Sequence, residues 1–293
     1  MLLLVLLSLQ AAIGNDDELL LSRIAARPCS FATQRLGDDP SVLLRGGEPA
    51  LVPSDATAQW PAVRRWSSEY LSEVVGGVSV PVHRDLKTIS RRPTRLFTHE
   101  RRALAVSTLS DYLNKTLSRE HAEYAFIQTD FGERSGLAPL LPDIQPVPDE
   151  LAVPFESTKM FLSIGEARTG LGFHQHAAAY NAVVSGSKWW VVVADRHFRW
   201  LEKQAAFSAG GAIQQRAMDP QRLLDWVGEL RDDPGVFNCV QRKGTIVYVP
   251  PGHFHAVVNL EDDTIAVSYH VTTPVTDVES QGFTQGRHGV TDL

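Results

Sequence analysis

Apolar residues follow two rhythms along this chain. In WPAVRRWSSEYLSEVVGG, residues 60–77, Trp66, Tyr70 and Val74 recur at helical spacing. Pro61 suits a first helical turn there, and Gly76-Gly77 closes the segment. DDELLLSRIAA, between about Asn15 and Cys29, and STLSDYLNKTL, with a serine or aspartate cap, predict two more helices. PSVLLRGGEPA predicts a short strand at Val42 to Leu44, and VSVPVHR and AEYAFIQTDF predict two others. Prolines gather between Pro139 and Pro154, which predicts a surface loop or connector.

Beyond Pro154 the rhythm shortens. KMFLSIG, KWWVVVA, GTIVYVP, FHAVVNL and TIAVSYH are short, β-branched and aromatic, with turn residues between them. Such runs predict an all-β barrel or sandwich. RWLEKQAAF and PQRLLDWVGELR interrupt it with helical patterns, from about residue 198 to 232. The expected architecture is mainly β with helical additions. A helical and mixed section, residues 15–138, packs on a barrel, residues 139–293, that carries this helical insertion.

The chain has 293 residues, enough for a sizeable core, and a net charge of −6. Its basic residues are scattered in short clusters such as ISRRPTR, which argues against nucleic-acid binding. Residues 2–13 are apolar apart from Ser8 and Gln10. That stretch is shorter than the ~20 residues a membrane-spanning helix needs, so no stable membrane span is expected. It suits a secretory signal, residues 1–14, with small residues Ala12 and Gly14 at the cleavage spacing. Asn114-Lys115-Thr116 is a glycosylation triplet and agrees with a secretory location, in the endoplasmic reticulum lumen or outside the cell. Cys29 and Cys239 are the two cysteines; one disulfide and two buried thiols both remain open.

Candidate chemistry begins at GFHQHAAAYNAVVSGSKWWVVV, residues 172–193. Residues two apart on a strand face one way, so His174 and His176 on a strand aim both imidazoles at one spot. Two neutral imidazoles on one face are half of a first-row metal site. GTIVYVPPGHFHAVVN then fits G-x5-P-x-G-x2-H-x3-N, with Gly244, Pro250, Gly252, His255 and Asn259 in those places. This resembles the second motif of the cupin superfamily, whose members fold as a double-stranded β-helix. The resemblance implies that His255 meets the HxH pair at the barrel mouth. The first cupin motif is partly kept: Ala177-Ala178-Ala179 leads to Tyr180, where the family form has a glutamate ligand.

More narrowly, the chain resembles the jumonji C (JmjC) group of cupins. DDPSVLLRGG with WPAVRRWSSEYLSEVVGG, HQHAAAYNAVVSGSKWWVVV, and VYVPPGHFHAVVNLEDDTIAVSYH carry that resemblance. It implies an oxygenase that binds Fe(II) through His174, His176 and His255, with 2-oxoglutarate as cosubstrate and a protein side chain as the group hydroxylated. Lys188 would pair with the distal carboxylate of 2-oxoglutarate. Asn181 and Ser268 match cosubstrate-contacting positions, and His270 stands where the family often has asparagine. His253 is expected at the pocket rim. Active members mostly carry an acidic residue where this chain has His176, which leaves the bound metal one unit more positive. Two alternatives follow from that departure: a metal-holding interaction module with little catalysis, and a three-histidine cupin enzyme that does not use 2-oxoglutarate. Zinc, nickel and copper accept imidazole too.

Overall fold

The computed structural model describes residues 18–35, 47–84, 105–118, 123–129, 131, 135–145, 158–194, 197, 220–230 and 232–271. The signal at 1–14, the strand at Val42 to Leu44 and the helix in RWLEKQAAF lie outside them. Among the described residues no helix is long and apolar enough to cross a membrane.

Among the described residues five α-helices accompany thirteen strands. Helix α1 covers residues 18–25. Strands β1 (Ala32–Thr33) and β2 (Ala50–Val52) precede helices α2 (Pro61–Arg65) and α3 (Ser68–Val75). Then come β3 (Ser79–Arg84), β4 (Ala105–Thr108), α4 (Leu109–Ser118) and β5 (Glu123–Thr129). The later half runs β6 (Thr158–Gly165), β7 (Gly170–His174), β8 (Ala178–Ser185) and β9 (Ser187–Val193), then α5 (Pro220–Glu229). Strands β10 (Val236–Arg242), β11 (Ile246–Val249), β12 (Phe254–Asn259) and β13 (Thr264–Val271) finish it.

The strands form two sheets. Nine run in the order β1-β2-β11-β8-β13-β6-β5-β3-β4, and four in the order β10-β9-β12-β7. This is the predicted double-sheeted cupin jelly roll with helical additions. Strand alternation divides the side chains. On β8, Tyr180, Ala182 and Val184 join Leu162, Ile164, Ile265 and Val267 in an outer core, under Trp60, Trp66, Leu71, Tyr112 and Leu113 of the helical layer. On β9, Trp189, Val191 and Val193 pack outward on Leu223, Leu224, Trp226 and Val227 of α5 and on Leu20 and Ile24 of α1. The alternate residues of both sheets face each other and enclose the pocket.

Two local expectations are corrected. The segment 60–77 is two helices, because Trp66 is extended and Ser67 restarts the chain, its Oγ accepting from Tyr70 N at 3.2 Å. The proline-rich stretch begins as a 3-10 helix, Ala138–Ile144, whose Leu140, Asp143 and Ile144 are buried rather than at the surface. Asp143 explains both. Its carboxylate accepts from Arg65 Nη1 at 2.8 Å, Trp66 Nε1 at 3.0 Å and Tyr70 Oη at 2.7 Å, tying the helix break to the 3-10 turn. Helix α4 is capped by Thr108, whose Oγ1 accepts from Asp111 N at 3.1 Å. Cys29 and Cys239 are paired in a disulfide. It fastens the segment before β1 to β10, beside Ser30, whose N donates to the Asn238 carbonyl at 2.9 Å.

Candidate metal centre

His174 closes β7 and His255 lies on β12, and the two are direct cross-strand partners. His176 departs from the strand expectation, because β7 stops at His174 and Gln175–Ala177 carry the chain across to β8 in the other sheet. Its place is set by the Pro250–Gly252 turn, where Gly252, at φ +74°, donates its N–H to the His176 carbonyl at 3.0 Å. The proline-glycine turn therefore positions one ligand by its backbone and returns the chain toward His255.

The ligand atoms of His174, His176 and His255 lie within 4.8 Å of one another. The ring centres are 4.1 Å apart for His174 and His255, 4.6 Å for His176 and His255, and 5.4 Å for His174 and His176. Each Nδ1 faces a backbone carbonyl: Gly172 at 2.8 Å for His174, Ala177 at 2.6 Å for His176, and His253 at 3.0 Å for His255. A carbonyl only accepts, so each Nδ1 carries the proton and each Nε2 keeps its lone pair. Three imidazoles held at Nδ1 in this way, with Nε2 as the remaining ligand atom, are the donor set a divalent transition metal requires. Burial, together with His174 and His176 alongside, holds His255 well below the usual histidine range, so it is neutral and ready to ligate.

His270 joins the three. It stacks on His176 with ring centres 3.9 Å apart and an interplanar angle of 28°, and leans on Phe161 at 4.4 Å. It is thus a pocket wall rather than a strand end. His253 lies outside the cluster, with Nδ1 facing the Pro251 carbonyl at 3.4 Å. His197 pairs with Asp233 at 3.0 Å, away from the centre.

Lys188 enters the pocket from β9, and the pocket has about 420 Å³ of empty space, its open mouth included. The side chain is 1% exposed. Its Nζ donates to Ser163 Oγ at 3.0 Å and lies 5.8 Å from the centre of the Tyr124 ring. Among the described residues no carboxylate lines this pocket. Burial pulls the ammonium down to about 7. Asn181 and Ser268, register partners on β8 and β13, face the same space, with Asn181 Nδ2 donating to Ser268 Oγ at 2.6 Å. The structure therefore gathers all seven expected site residues around one cavity.

The sequence reading missed the wall that holds them. Trp190 backs His255 at 5.9 Å and donates Nε1–H to Gln241 Oε1 at 2.7 Å, while Gln241 Nε2 donates to the Asn181 carbonyl at 2.6 Å. Tyr124, Phe126 and Phe161 form an aromatic stack along the opposite side. Strand alternation was the available signal: Trp190 shares the parity of Lys188, and Phe161 that of Ser163.

Comparison with known proteins agrees with this architecture. Residues 42–276 match the family described as "Cupin-like domain". Over 224 residues the chain is 25% identical to a protein of Arabidopsis thaliana named arginine-specific demethylase JMJ22. That alignment takes in 71% of this chain and 39% of the plant protein, so the chain spans well under half of its relative's length.

Proposed function

The chain belongs to the cupin-like family, in its JmjC branch, and on that premise we propose that it is an Fe(II)- and 2-oxoglutarate-dependent oxygenase that hydroxylates a protein side chain. The observation that carries the proposal is Lys188. A buried ammonium without a carboxylate partner is costly, and such a group is normally paired. Here it shares a cavity with three convergent imidazoles. A ligand that is anionic at one end and chelating at the other answers both needs, and 2-oxoglutarate is such a ligand.

The residues divide the work. His174, His176 and His255 would hold the metal, which when bound supplies oxygen activation jointly with the cosubstrate. Lys188 binds the distal carboxylate, and Ser163 Oγ orients the ammonium by accepting one of its protons. Asn181 and Ser268 lie between the two ends as hydrogen-bonding groups. Tyr124, Phe126 and Trp190 exclude water from the cavity. The charge balance also favours an anionic occupant. Three neutral ligands leave a divalent metal uncompensated, and Lys188 adds a further positive charge when protonated.

A metal-holding interaction module is the second reading. It is favoured by His176 at the acidic position and by His270 stacked on it, which together give the centre four imidazoles and no carboxylate among the described lining. A cupin enzyme that does not need 2-oxoglutarate is the third. One experiment separates them. The protein is loaded anaerobically with Fe(II), 2-oxoglutarate is added, and the visible charge-transfer band is recorded. Oxygen is then admitted and succinate measured, with Lys188→Ala alongside. Succinate that depends on Lys188 supports the proposal. Metal retained without band or succinate favours the module. Oxygen consumed without 2-oxoglutarate favours the third reading.

A further inference from the structure

The triplet Asn114-Lys115-Thr116 plays no part in the metal centre. Asn114 lies in the second half of α4. That helix buries Leu109, Tyr112 and Leu113, and Tyr112 Oη donates to the Ile164 carbonyl of β6 at 2.9 Å. Asp111 and Asn114 fall on the opposite, exposed face. Among the described residues nothing hydrogen-bonds to the Asn114 side chain. Ile164 points outward to α4, whereas Phe161 and Ser163 of the same strand have the inward parity. A group carried by Asn114 therefore projects from the outer helical layer, with the nine-stranded sheet between it and the pocket.

The order of synthesis matters as well. The sheet on which α4 docks is completed by β6, β8 and β13, all later in the chain. A ten-residue helix is marginal by itself, since isolated helices below ~12–15 residues are barely stable in water. The triplet therefore emerges before that sheet is complete, when α4 has only its earlier neighbours α3, β3 and β4 to pack on and lacks the Ile164 carbonyl that holds Tyr112. The Cys29–Cys239 disulfide belongs to an oxidising compartment, where such triplets meet their transferase.

We propose that Asn114 carries an N-linked oligosaccharide, added in the secretory pathway before the sheet beneath α4 is complete. The donor class is a polyprenyl-diphosphate oligosaccharide. Asn114 Nδ2 forms a C–N bond to the anomeric carbon, the C–O bond to diphosphate breaks, one amide proton passes to the transferase, and polyprenyl diphosphate leaves. Nothing is oxidised or reduced.

The test uses the full chain with its own N-terminus, expressed in a eukaryotic secretory cell and recovered with its disulfide formed. Peptide N-glycosidase in ¹⁸O water followed by peptide mass spectrometry is expected to convert position 114 to ¹⁸O-labelled aspartate. The accompanying mobility shift is lost in Asn114→Gln and in Thr116→Ala and kept in Thr116→Ser. An unmodified position 114 in the folded chain overturns the proposal. Metal binding by Asn114→Gln equal to that of the native chain is expected, and a loss would overturn the placement of Asn114 away from the pocket.

Discussion

Dicarboxylate binding should weaken as the pH rises above neutrality, because Lys188 must be protonated to pair with the ligand. Burial holds its ammonium at about 7. Only the protonated fraction is competent, so the apparent dissociation constant grows by a factor of 1 + 10^(pH−7). That factor is ~2 at pH 7, ~11 at pH 8 and ~100 at pH 9. Each unit corresponds to ~1.4 kcal/mol. The imidazole of His255 is already neutral throughout this window, so it contributes no slope. Calorimetric titration of 2-oxoglutarate into the metal-loaded protein between pH 7 and 9 reads the effect, with Lys188→Met as the reference. The native slope should approach tenfold per unit, while Lys188→Met binds weakly and without slope. A flat native profile, or the same slope in Lys188→Met, would refute the assignment of Lys188 to the carboxylate. Stability should move the opposite way. The unfolded chain holds the Lys188 proton up to 10.5 and the folded chain only to about 7, so the ligand-free protein gains stability as pH climbs between those values.

Other outcomes follow from the same geometry. Lys188→Met removes a buried charge and should stabilise the ligand-free protein at pH 6 by on the order of 1–4 kcal/mol in denaturant unfolding, while weakening dicarboxylate binding. His255→Ala should weaken metal binding by more than the roughly 10–100-fold that loss of an outer-sphere partner costs, read by competition with a chelator. Asp143→Ala strips Arg65, Trp66 and Tyr70 of their shared acceptor; Arg65 is exposed enough to turn to water, so the cost should be about 1–3 kcal/mol of stability, mainly from the buried Trp66 N–H left without an acceptor. Paired replacement of Cys29 by Ser and Cys239 by Ala opens a tie across 210 residues and should cost about 2–5 kcal/mol, with thermal melting then insensitive to reductant.

The sequence by itself determined the kind of fold and singled out the three imidazoles that could hold a metal. Short β-branched runs with period-two alternation can bury both faces only by pairing into layered sheets, and GTIVYVPPGHFHAVVN and HQH carry their chemistry in local spacing. Spacing could not decide where His176 sits, because β7 ends two residues too early for the strand rule and a hydrogen bond from Gly252 takes over. Nor could it tell a solvated Lys188 from one sealed beside Ser163, since burial depends on which sheet closes over β9. The proline-rich run at 138–144 turned inward for a similar reason: Asp143 found three donors, on α2, on α3 and at the break between them, that no local pattern announces. Contacts between residues distant along the chain carry no local periodicity, and the ionisation of Lys188, the wall behind His255 and the pairing of the two cysteines are all contacts of that kind.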